Sequence, residues 1–331
     1  MHAFRKLFAT SAAAIVAMAS GALVAHAETT PTVYNTPGGQ ISAGRLWNTT
    51  CEKYSTNVVR CRAEIWSTQV TYTNGQFVKR TGWAFNNLSY LPSLRASWAG
   101  NNLARSNPSW NSGGRTWKTE CDTSTTGQGG CRSYVWTKKV IAVKSGSGYV
   151  YRNNQQWVFN NLVLFSSPSV PAVTQVPPWI IDQSRLDVTG LGPLQIGTSV
   201  RDLQRLGYLG DASDVCLLES QSLQNRGVDI RNSETSLEEL LIYKNQVWTV
   251  EGARVGMTVG EIKTIYGDRL QLQDKSAPLD KTVPVAVVQR DGYELVFFDK
   301  RVDYTGGLQD SDVIDWIVAR PIADEFYYDG C

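Results

Sequence analysis

Histidine is almost absent from this chain of 331 residues, and the only two, His2 and His26, lie in its first 27 residues. That stretch has Arg5 and Lys6, an alanine-rich apolar run and the sequence AHAETT, which together predict a secretory signal peptide cleaved after Ala27. The mature chain would then contain no histidine. This excludes Ser-His-Asp and Cys-His nucleophiles and histidine-ligated zinc, whereas carboxylate-pair and Ser-Lys catalysis remain open.

Long apolar runs are also missing. Beyond residue 27 no apolar run reaches the length of a membrane span. Glu28, not cysteine, follows the expected cleavage site, so no lipid anchor is indicated. We therefore expect a secreted, extracellular protein.

Acidic residues are scarce in the first half of the expected mature chain. Residues 28–181 contain 15 Lys and Arg but 5 Asp and Glu, a net charge of +10, whereas residues 182–331 contain 15 and 25, a net charge of −10. The change falls at SSPSVPAVTQVPPW, whose prolines favour an extended linker. We predict a signal peptide (1–27), an N-terminal extension (28–43), a basic β domain (44–165), a proline-rich linker (166–182) and an acidic α+β domain (183–331).

The basic domain contains an internal duplication. GRLWNTTCEKYSTNVVRCRAEIW begins at Gly44 and returns at Gly114 as GRTWKTECDTSTTGQGGCRSYVW, and WAFNNL at Trp83 returns at Trp157 as WVFNNL. The interval between the copies grows from 70 to 74 residues, which indicates four extra residues near SGSG. Residues that favour strands, with a turn signal at Asn74-Gly75, predict that each copy is a three-stranded antiparallel meander. The two sheets are expected to pack face to face or as paired lobes.

The six cysteines of the chain predict disulfides rather than a metal site, because thiolates without histidine in an oxidising compartment pair with each other. Two copies of a C-x9-C spacing indicate pairing within each copy. The predicted bonds are Cys51–Cys61, Cys121–Cys131 and Cys216–Cys331. No metal and no cofactor is expected.

Strand alternation places an arginine and a tryptophan on the same side in both copies, opposite the cysteines. The candidate ligand-binding residues are Arg62, Trp66, Arg132 and Trp136. If they face solvent, the rings and guanidinium groups suit an anionic polymer; in the alternative, they belong to the core with each arginine stacked on a ring edge. Core positions are also expected for Trp83, Phe85, Trp157 and Phe159. The pairs Asn86-Asn87 and Asn160-Asn161 are expected to close turns.

The acidic half contains two related segments, IGTSVRDLQRLGYL and VGMTVGEIKTIYGDRL, each of which predicts a capped amphipathic helix. Strands are predicted after them in ELLIYKNQVWTV, VPVAVVQ, YELVFFDK and VIDWIVA. The expected fold is an α+β domain of two helix-plus-sheet repeats.

Residues 194–319 resemble the tandem-repeat fold of β-lactamase inhibitory proteins and small outer-membrane assembly lipoproteins. The residues that carry the resemblance are Gly256, Met257, Thr258, Ile262 and Gly267, with an echo in Gly197, Ser199, Val200 and Leu203. The resemblance implies a domain that binds proteins rather than one that catalyses. The inhibitors carry a disulfide inside each repeat, whereas Cys216 and Cys331 span the two repeats here. The basic half is similar to stretches of secreted actinobacterial proteins of unknown activity.

Catalysis is not favoured by the few acids of the basic half, because the equivalent Glu52 and Asp122 lie beside cysteines in short hairpins rather than across a cleft. The acidic half gathers Asp299, Asp303, Asp310, Asp312 and Asp315 around a glycine turn, which suits either a calcium loop or a solvated acidic loop. We predict a non-enzymatic protein whose β domain binds an anionic cell-envelope polymer. The alternative is a protein-binding or enzyme-inhibitory protein acting through the α+β domain, with a hydrolase third; a nucleic-acid partner is not expected.

Overall fold

The computed structural model describes residues 31–127, 129–210, 220–277, 281–299 and 307–322. Strands dominate these residues and form two large sheets and one small sheet. Among the described residues, no helix is long and apolar enough to cross a membrane. The predicted signal peptide and the predicted Cys216–Cys331 disulfide lie outside the described residues.

The first sheet takes four strands from each copy of the duplicated sequence. The first copy supplies β1 (Gly38–Ser42), β2 (Arg45–Ser55), β3 (Val58–Thr73) and β4 (Gln76–Ser93). The second supplies β5 (Asn107–Ser112), β6 (Arg115–Cys121), β7 (Gly130–Ser145) and β8 (Gly148–Phe165). The prediction of three strands per copy is wrong, because positive-φ turns at Ala43-Gly44 and Gly113-Gly114 join one more strand to each copy.

The two copies form one continuous sheet, so the prediction of two sheets packed face to face or as lobes is wrong. The strand order is β1-β2-β3-β4-β8-β7-β6-β5, and β4 pairs with β8 in parallel while the other pairs are antiparallel. Each meander ends in a strand with an unpaired edge. Pairing β4 with β8 removes both edges at once.

The parallel junction decides which side of the sheet each copy presents. Leu88 pairs with Asn161, although the equivalent of Leu88 in the second copy is Leu162. Paired residues share a face and successive residues alternate, so this offset of one residue turns the second copy over relative to the first. Equivalent residues therefore lie on opposite faces of the sheet, and Cys61 and Cys131 belong to different apolar clusters.

Both predicted disulfides of this sheet are formed, and each joins two residues that are cross-strand partners. They are Cys51–Cys61 and Cys121–Cys131. Ala63 and Ile65 are buried on the side of Cys61, whereas Arg62 is exposed on the other side. This confirms the predicted alternation along the strand.

The Asn-Asn pairs lie inside β4 and β8, not in turns, so that expectation is wrong. A β-bulge in each strand leaves Asn86 and Asn160 outside the cross-strand register. Asn87 and Asn161, one residue further along, are buried in the sheet. The bulge bends the strands at the same place in both copies.

The β3–β4 and β7–β8 hairpins extend as long ribbons beyond the β4–β8 junction. The first turns at Asn74 and Gly75, whose φ values of 52° and 80° are typical of a tight hairpin turn. The first ribbon runs from Cys61 to Thr73 and the second from Cys131 to Ser145 before turning, so the second is two residues longer per strand. This is where the four extra residues were predicted.

The acidic half contains a larger sheet preceded by a small three-stranded one. The small sheet has β9 (Leu186–Asp187), β10 (Gly190–Leu191) and β11 (Leu194–Gln195). The larger has β12 (Val228–Asn232), β13 (Leu237–Ile242), β14 (Leu270–Ala277), β15 (Lys281–Arg290), β16 (Tyr293–Phe298) and β17 (Trp316–Pro321). Its order is β12-β13-β17-β16-β15-β14, antiparallel throughout. The strand predicted in ELLIYKNQVWTV ends at Ile242, because a turn follows it.

Four short helices accompany this sheet: α1 (Ile180–Gln183), α2 (Val200–Arg205), α3 (Gln221–Arg226) and α4 (Val259–Tyr266). The two predicted helix starts are confirmed. The Ser199 hydroxyl accepts a hydrogen bond from the Asp202 amide at 3.1 Å, and the Thr258 hydroxyl accepts one from the Glu261 amide at 3.2 Å. The Glu261 carboxylate accepts from the Thr258 amide at 2.8 Å, which completes a capping box.

The largest apolar core lies between the helices and the larger sheet, and it reaches into the first sheet. Leu203 of α2 and Ile262 of α4 are fully buried in it, and Leu46 of β2 belongs to the same cluster. The buried Tyr208 hydroxyl donates to the Gly39 carbonyl of β1 at 2.6 Å. The two halves of the chain therefore share one core at the β1–β2 end of the first sheet.

Candidate ligand-binding face

The second copy places six large side chains on one side of the first sheet. Arg132, Tyr134 and Trp136 alternate along β7, and the bulge at Asn160 aligns β8 so that Phe159 and Trp157 lie opposite Tyr134 and Trp136. Lys118 of β6 lies opposite Tyr134 on the other flank. The second-copy face is defined by Lys118, Arg132, Tyr134, Trp136, Trp157 and Phe159.

The aromatic rings of this face contact one another and carry cations at close range. Trp136 and Trp157 have ring centroids 5.2 Å apart, tilted by 56°. The Lys118 ammonium lies 4.9 Å from the Tyr134 centroid and 5.6 Å from that of Trp157. The Arg132 guanidinium carbon lies 5.5 Å from the Phe159 centroid. The rings hold the cations in place through their negative faces.

The outer part of the face is open to solvent. Trp136 is 41% exposed, the largest exposed fraction of any tryptophan among the described residues. Lys118 pairs with Glu120 at 2.7 Å, but Arg132 makes no ion pair with the described residues, and its buried Nε atom has no hydrogen-bond partner there. The face thus offers an exposed ring on the same side of the sheet as Arg132, whose guanidinium group forms no ion pair with the described residues although Glu120 is its cross-strand partner.

A groove adjoins the face at Lys118. Its volume is about 420 Å³. Its lining contains hydroxyl, amide and charged side chains together with one proline: Ser106, Asn107, Pro108, Lys118, Thr119, Glu120 and Thr123. Hydroxyl and amide groups in such a groove suit a ligand rich in hydroxyl groups.

The equivalent face of the first copy is arranged differently. Arg62 pairs with Glu64 at 3.0 Å and lies over Phe85, 4.7 Å from the ring centroid. Trp66 and Trp83 meet edge to face at 5.5 Å and pack against the core shared with the acidic half. In this copy the arginine has a carboxylate partner and the second domain covers the tryptophans.

Comparisons with protein-family models, with curated proteins and with solved structures find no match to this chain. Function is therefore inferred from the geometry of the chain itself.

The four predicted site residues do not form one surface. Arg62 and Trp66 lie on one side of the first sheet, and Arg132 and Trp136 on the other. Trp136 is exposed, as expected of a solvent-facing binding residue. Trp66 is partly buried, which is closer to the alternative of a core residue. Each pair keeps its arginine and tryptophan on the same side, as the alternation predicts.

The core positions predicted for the other retained aromatics are only partly confirmed. Trp83 is half-buried and packs against the shared core, whereas Trp157 and Phe159 are half-buried on the second-copy face and Phe85 is 38% exposed. Each is the cross-strand partner of a residue on the arginine and tryptophan side of its own hairpin. Lys118 and Tyr134 were not among the predicted site residues, although both differ from Asn48 and Glu64 at the equivalent positions of the first copy.

The predicted acidic loop of the second half lies partly outside the described residues, which do not include Asp303. Asp299 is buried, Asp310 pairs with Lys263, and the Asp312 carboxylate accepts from the Gln309 amide at 2.6 Å. Within the described ranges no three acidic or cysteine side chains gather as a metal site would require. The acids of this loop that are described have partners in the protein instead.

Proposed function

We propose that the chain is a secreted, non-enzymatic binding protein whose second-copy face holds an anionic polymer of the cell envelope, such as a teichoic or peptidoglycan-linked glycan. The observation that carries the proposal is the exposed Trp136 ring beside Trp157, with Arg132 and Lys118 on the same face. An exposed ring stacks on the flat face of a ligand unit, and guanidinium and ammonium groups bind phosphate or carboxylate.

The charge of the basic half supports an anionic ligand. Residues 28–181 carry a net charge of +10. A surface of one sign raises the local concentration of an oppositely charged polymer and accelerates its association. The groove beside Lys118 adds hydroxyl and amide groups next to the face, which suits a ligand that also carries hydroxyl groups.

The carboxylates of the basic half support binding rather than hydrolysis. All four that the structure describes form ion pairs: Glu52–Arg60, Glu64–Arg62, Glu120–Lys118 and Asp122–Arg95. The Arg95 hydrogen bond lowers the pKa of Asp122, which is opposite to the raised pKa that a general acid requires. A carboxylate paired on the surface is a poor acid at neutral pH.

The competing function is a protein-binding or enzyme-inhibitory role for the acidic α+β domain. The helix starts support two helix-plus-sheet repeats of the kind that the inhibitory proteins contain. Gly197 and Gly256 precede them with φ values of 85° and 90°. The capping residues then form equivalent isolated bridges, Ser199 with Ser236 and Thr258 with Val313. The disulfide arrangement of the inhibitors is not carried over.

Retention of the full chain on purified cell walls, and on a resin carrying poly(glycerol phosphate), tests the polymer proposal. We expect Trp136→Ala to reduce affinity about 5- to 150-fold, because stacking on one ring contributes about 1–3 kcal/mol, and to leave the melting temperature almost unchanged. Trp66→Ala is the matched control, since it removes the equivalent ring from the covered copy. Folded Trp66→Ala protein should be retained like the wild type.

A second pair of measurements separates shape from charge. Arg132→Lys keeps the positive charge but loses the planar fork, so binding should weaken while Arg62→Lys leaves it unchanged. Wild-type retention should fall steeply with added salt, as bound cations release counterions from a polyanion. If both Trp136→Ala and Arg132→Lys are retained like the wild type, the second-copy face is not the binding site. The α+β domain then becomes the favoured binding site.

A further inference from the structure

The two long hairpins of the first sheet end in an aromatic cluster that the second-copy face does not include. Tyr72 and Phe77 are cross-strand partners with ring centroids 4.9 Å apart, and Phe77 contacts Tyr151 of the other hairpin at 5.9 Å. Tyr72 is 51% exposed and Tyr149, beside the second turn, is 70% exposed. The hairpin tip is defined by Tyr72, Phe77, Tyr149, Val150 and Tyr151.

Between Glu64 and the hairpin tip, the ribbons carry cations and no acids. Their exposed basic residues are Lys79, Arg80, Lys138, Lys139, Lys144 and Arg152. No Asp or Glu occurs in residues 65–119 or 123–181. None of the six forms an ion pair with the described residues, although Lys79 lies 5.4 Å from the Tyr151 ring centroid. The tip is therefore an exposed aromatic surface with a ring of positive charge behind it. We call these six basic residues the collar.

The rings and cations are layered along the ribbons. Tyr72 and Phe77 lie two residues from the turn at Asn74-Gly75, a distance of about 7 Å at 3.4 Å per residue. Lys79 and Arg80 lie about 14–17 Å from Gly75 by the same rise. Lys144 is the exception among the six cations, because it is the cross-strand partner of Tyr149 beside the second turn. The aromatic groups thus lie nearer to the turns than most of the cations do. Interfacial rings and phosphate-binding residues have the same order at a bilayer, with the rings deeper.

The backbone of the tip is compatible with the interfacial layer of a bilayer. Cross-strand pairing continues to Thr73–Gln76 in the first hairpin and to Ser145–Gly148 in the second, so the inward-facing backbone groups of each hairpin have partners, while the outward-facing ones are left for water and headgroups. The two hairpin tips lie side by side, with Phe77 of the first against Tyr151 of the second.

We propose that the hairpin tip docks onto an anionic lipid surface, with its tyrosine and phenylalanine rings in the interfacial layer and its collar of lysines and arginines on the headgroup phosphates. This site is separate from the polymer-binding face and does not depend on it. Four of the six cations, Lys79, Arg80, Lys144 and Arg152, lie within about 17 Å of a hairpin turn. Their charge complementarity with an anionic leaflet selects the occupant.

Co-sedimentation of the full chain with vesicles tests this inference. We expect binding to vesicles of 60% phosphatidylcholine and 40% phosphatidylglycerol, and little binding to phosphatidylcholine alone. Each cation near an anionic surface increases the affinity about fivefold, so Lys79→Gln with Arg80→Gln should reduce it about 25-fold. Tyr72→Ala with Tyr149→Ala should weaken it without changing the charge. Lys53→Gln with Arg105→Gln, exposed residues away from the tip, is the matched charge control and should bind like the wild type.

A fluorophore reports whether the tip enters the interface. Ser147→Cys labelled with a polarity-sensitive dye should shift to shorter wavelength on anionic vesicles and be quenched by spin-labelled lipid. The same dye on Asn57→Cys, in the β2–β3 turn, should do neither. Sedimentation without quenching at Ser147 would mean adsorption by charge alone and would overturn the inference.

Two further outcomes separate this site from the polymer site. Trp136→Ala should keep full vesicle binding even if it loses polymer binding. If soluble poly(glycerol phosphate) instead displaced the protein from vesicles completely, and the tip variants lost polymer and vesicle binding to the same extent, the tip would be a polymer site and the lipid inference would be wrong.

Discussion

Arg205 of the acidic half lies over the ring of Trp66 in the basic half, with its guanidinium carbon 4.7 Å from the ring centroid. Asp202 pairs with Arg205 at 3.1 Å and so helps to hold it there. Trp136, the equivalent of Trp66, has Trp157 as its ring partner and remains 41% exposed. One copy of the duplicated tryptophan thus joins the two halves of the chain, and the other is available to a ligand.

The first prediction concerns the different roles of these two rings. Trp66→Ala should lower the free energy of unfolding by about 2–3 kcal/mol, because a half-buried ring loses its packing and the site cannot fully collapse. Trp136→Ala should lower it by less than about 1 kcal/mol. Urea unfolding monitored by circular dichroism measures both. Equal losses would show that the two rings have the same structural role.

The second prediction concerns the hydrogen bond that joins the two halves. The Tyr208 hydroxyl donates to the Gly39 carbonyl at 2.6 Å, and burial raises the pKa of Tyr208 so that it stays protonated. Tyr208→Phe should destabilise the chain by about 1–2 kcal/mol, because the carbonyl loses its donor in a buried place. Tyr149→Phe, at an exposed tyrosine, is the control and should have no effect. A Tyr208→Phe protein as stable as the wild type would mean that water replaces the donor.

The local features of the first sheet are predictable from the sequence. Alternation along β3 separates Arg62 from Cys61 because successive strand residues point to opposite faces. The C-x9-C spacing predicts the disulfides, and the difference in the two copy intervals predicts the longer second hairpin. These features depend on neighbours along the chain or across one turn.

The joining of the two copies is not predictable in the same way. No local pattern indicates that β4 pairs with β8 in parallel, because their paired residues are more than 70 positions apart. The one-residue offset at Leu88 and Asn161 then decides which face each copy presents. A register between distant strands depends on the packing of the whole sheet, and a shift of one residue reverses every side chain.

The candidate site was only half predictable for a related reason. Residues that both copies retain, such as Arg132 and Trp136, were found by comparing the copies. The residues that make the second copy different are Lys118 and Tyr134, which replace Asn48 and Glu64. Glu64 pairs with Arg62, whereas Tyr134 cannot pair with Arg132, and Glu120, the cross-strand partner of Arg132, pairs with Lys118 instead. Differences between duplicated copies therefore locate the open face better than identities do.

The third prediction concerns the two disulfides of the first sheet. Each closes a loop with a sequence separation of 10 residues. Removing either pair by double alanine substitution should cost about 2.5–3 kcal/mol on the chain-entropy model. Because Cys61 and Cys131 belong to separate apolar clusters on opposite faces, the two losses should add. Chemical denaturation of both double variants and the quadruple variant measures this, and a strong non-additive term would show that the clusters are coupled.

The last prediction concerns the pH dependence of the Asp122–Arg95 pair. The Arg95 guanidinium donates to both carboxylate oxygens, at 2.9 and 3.0 Å, and the Gly129 amide donates at 3.0 Å. The Arg95 hydrogen bond, with a smaller contribution from Gly129, lowers the pKa of Asp122 in the folded state. The carboxylate is therefore favoured on folding, so its stabilisation is present above the ordinary Asp pKa of about 3.9 and is lost as the pH falls through the lowered value.

Asp122→Asn isolates this charge, because asparagine tolerates the φ of 56° at this position and can still accept from Gly129. At pH 7 the variant should be less stable by no more than about 1 kcal/mol, since the pair is largely exposed. The difference from the wild type should shrink below about pH 4 and vanish near pH 2. Asp291→Asn is the matched control, with a φ of 54° and a side chain that is 86% exposed, and should change stability little at any pH. Urea unfolding from pH 7 to pH 2 tests this, and a difference for Asp122→Asn that stays constant with pH would show that shape, not charge, is what Asp122 contributes.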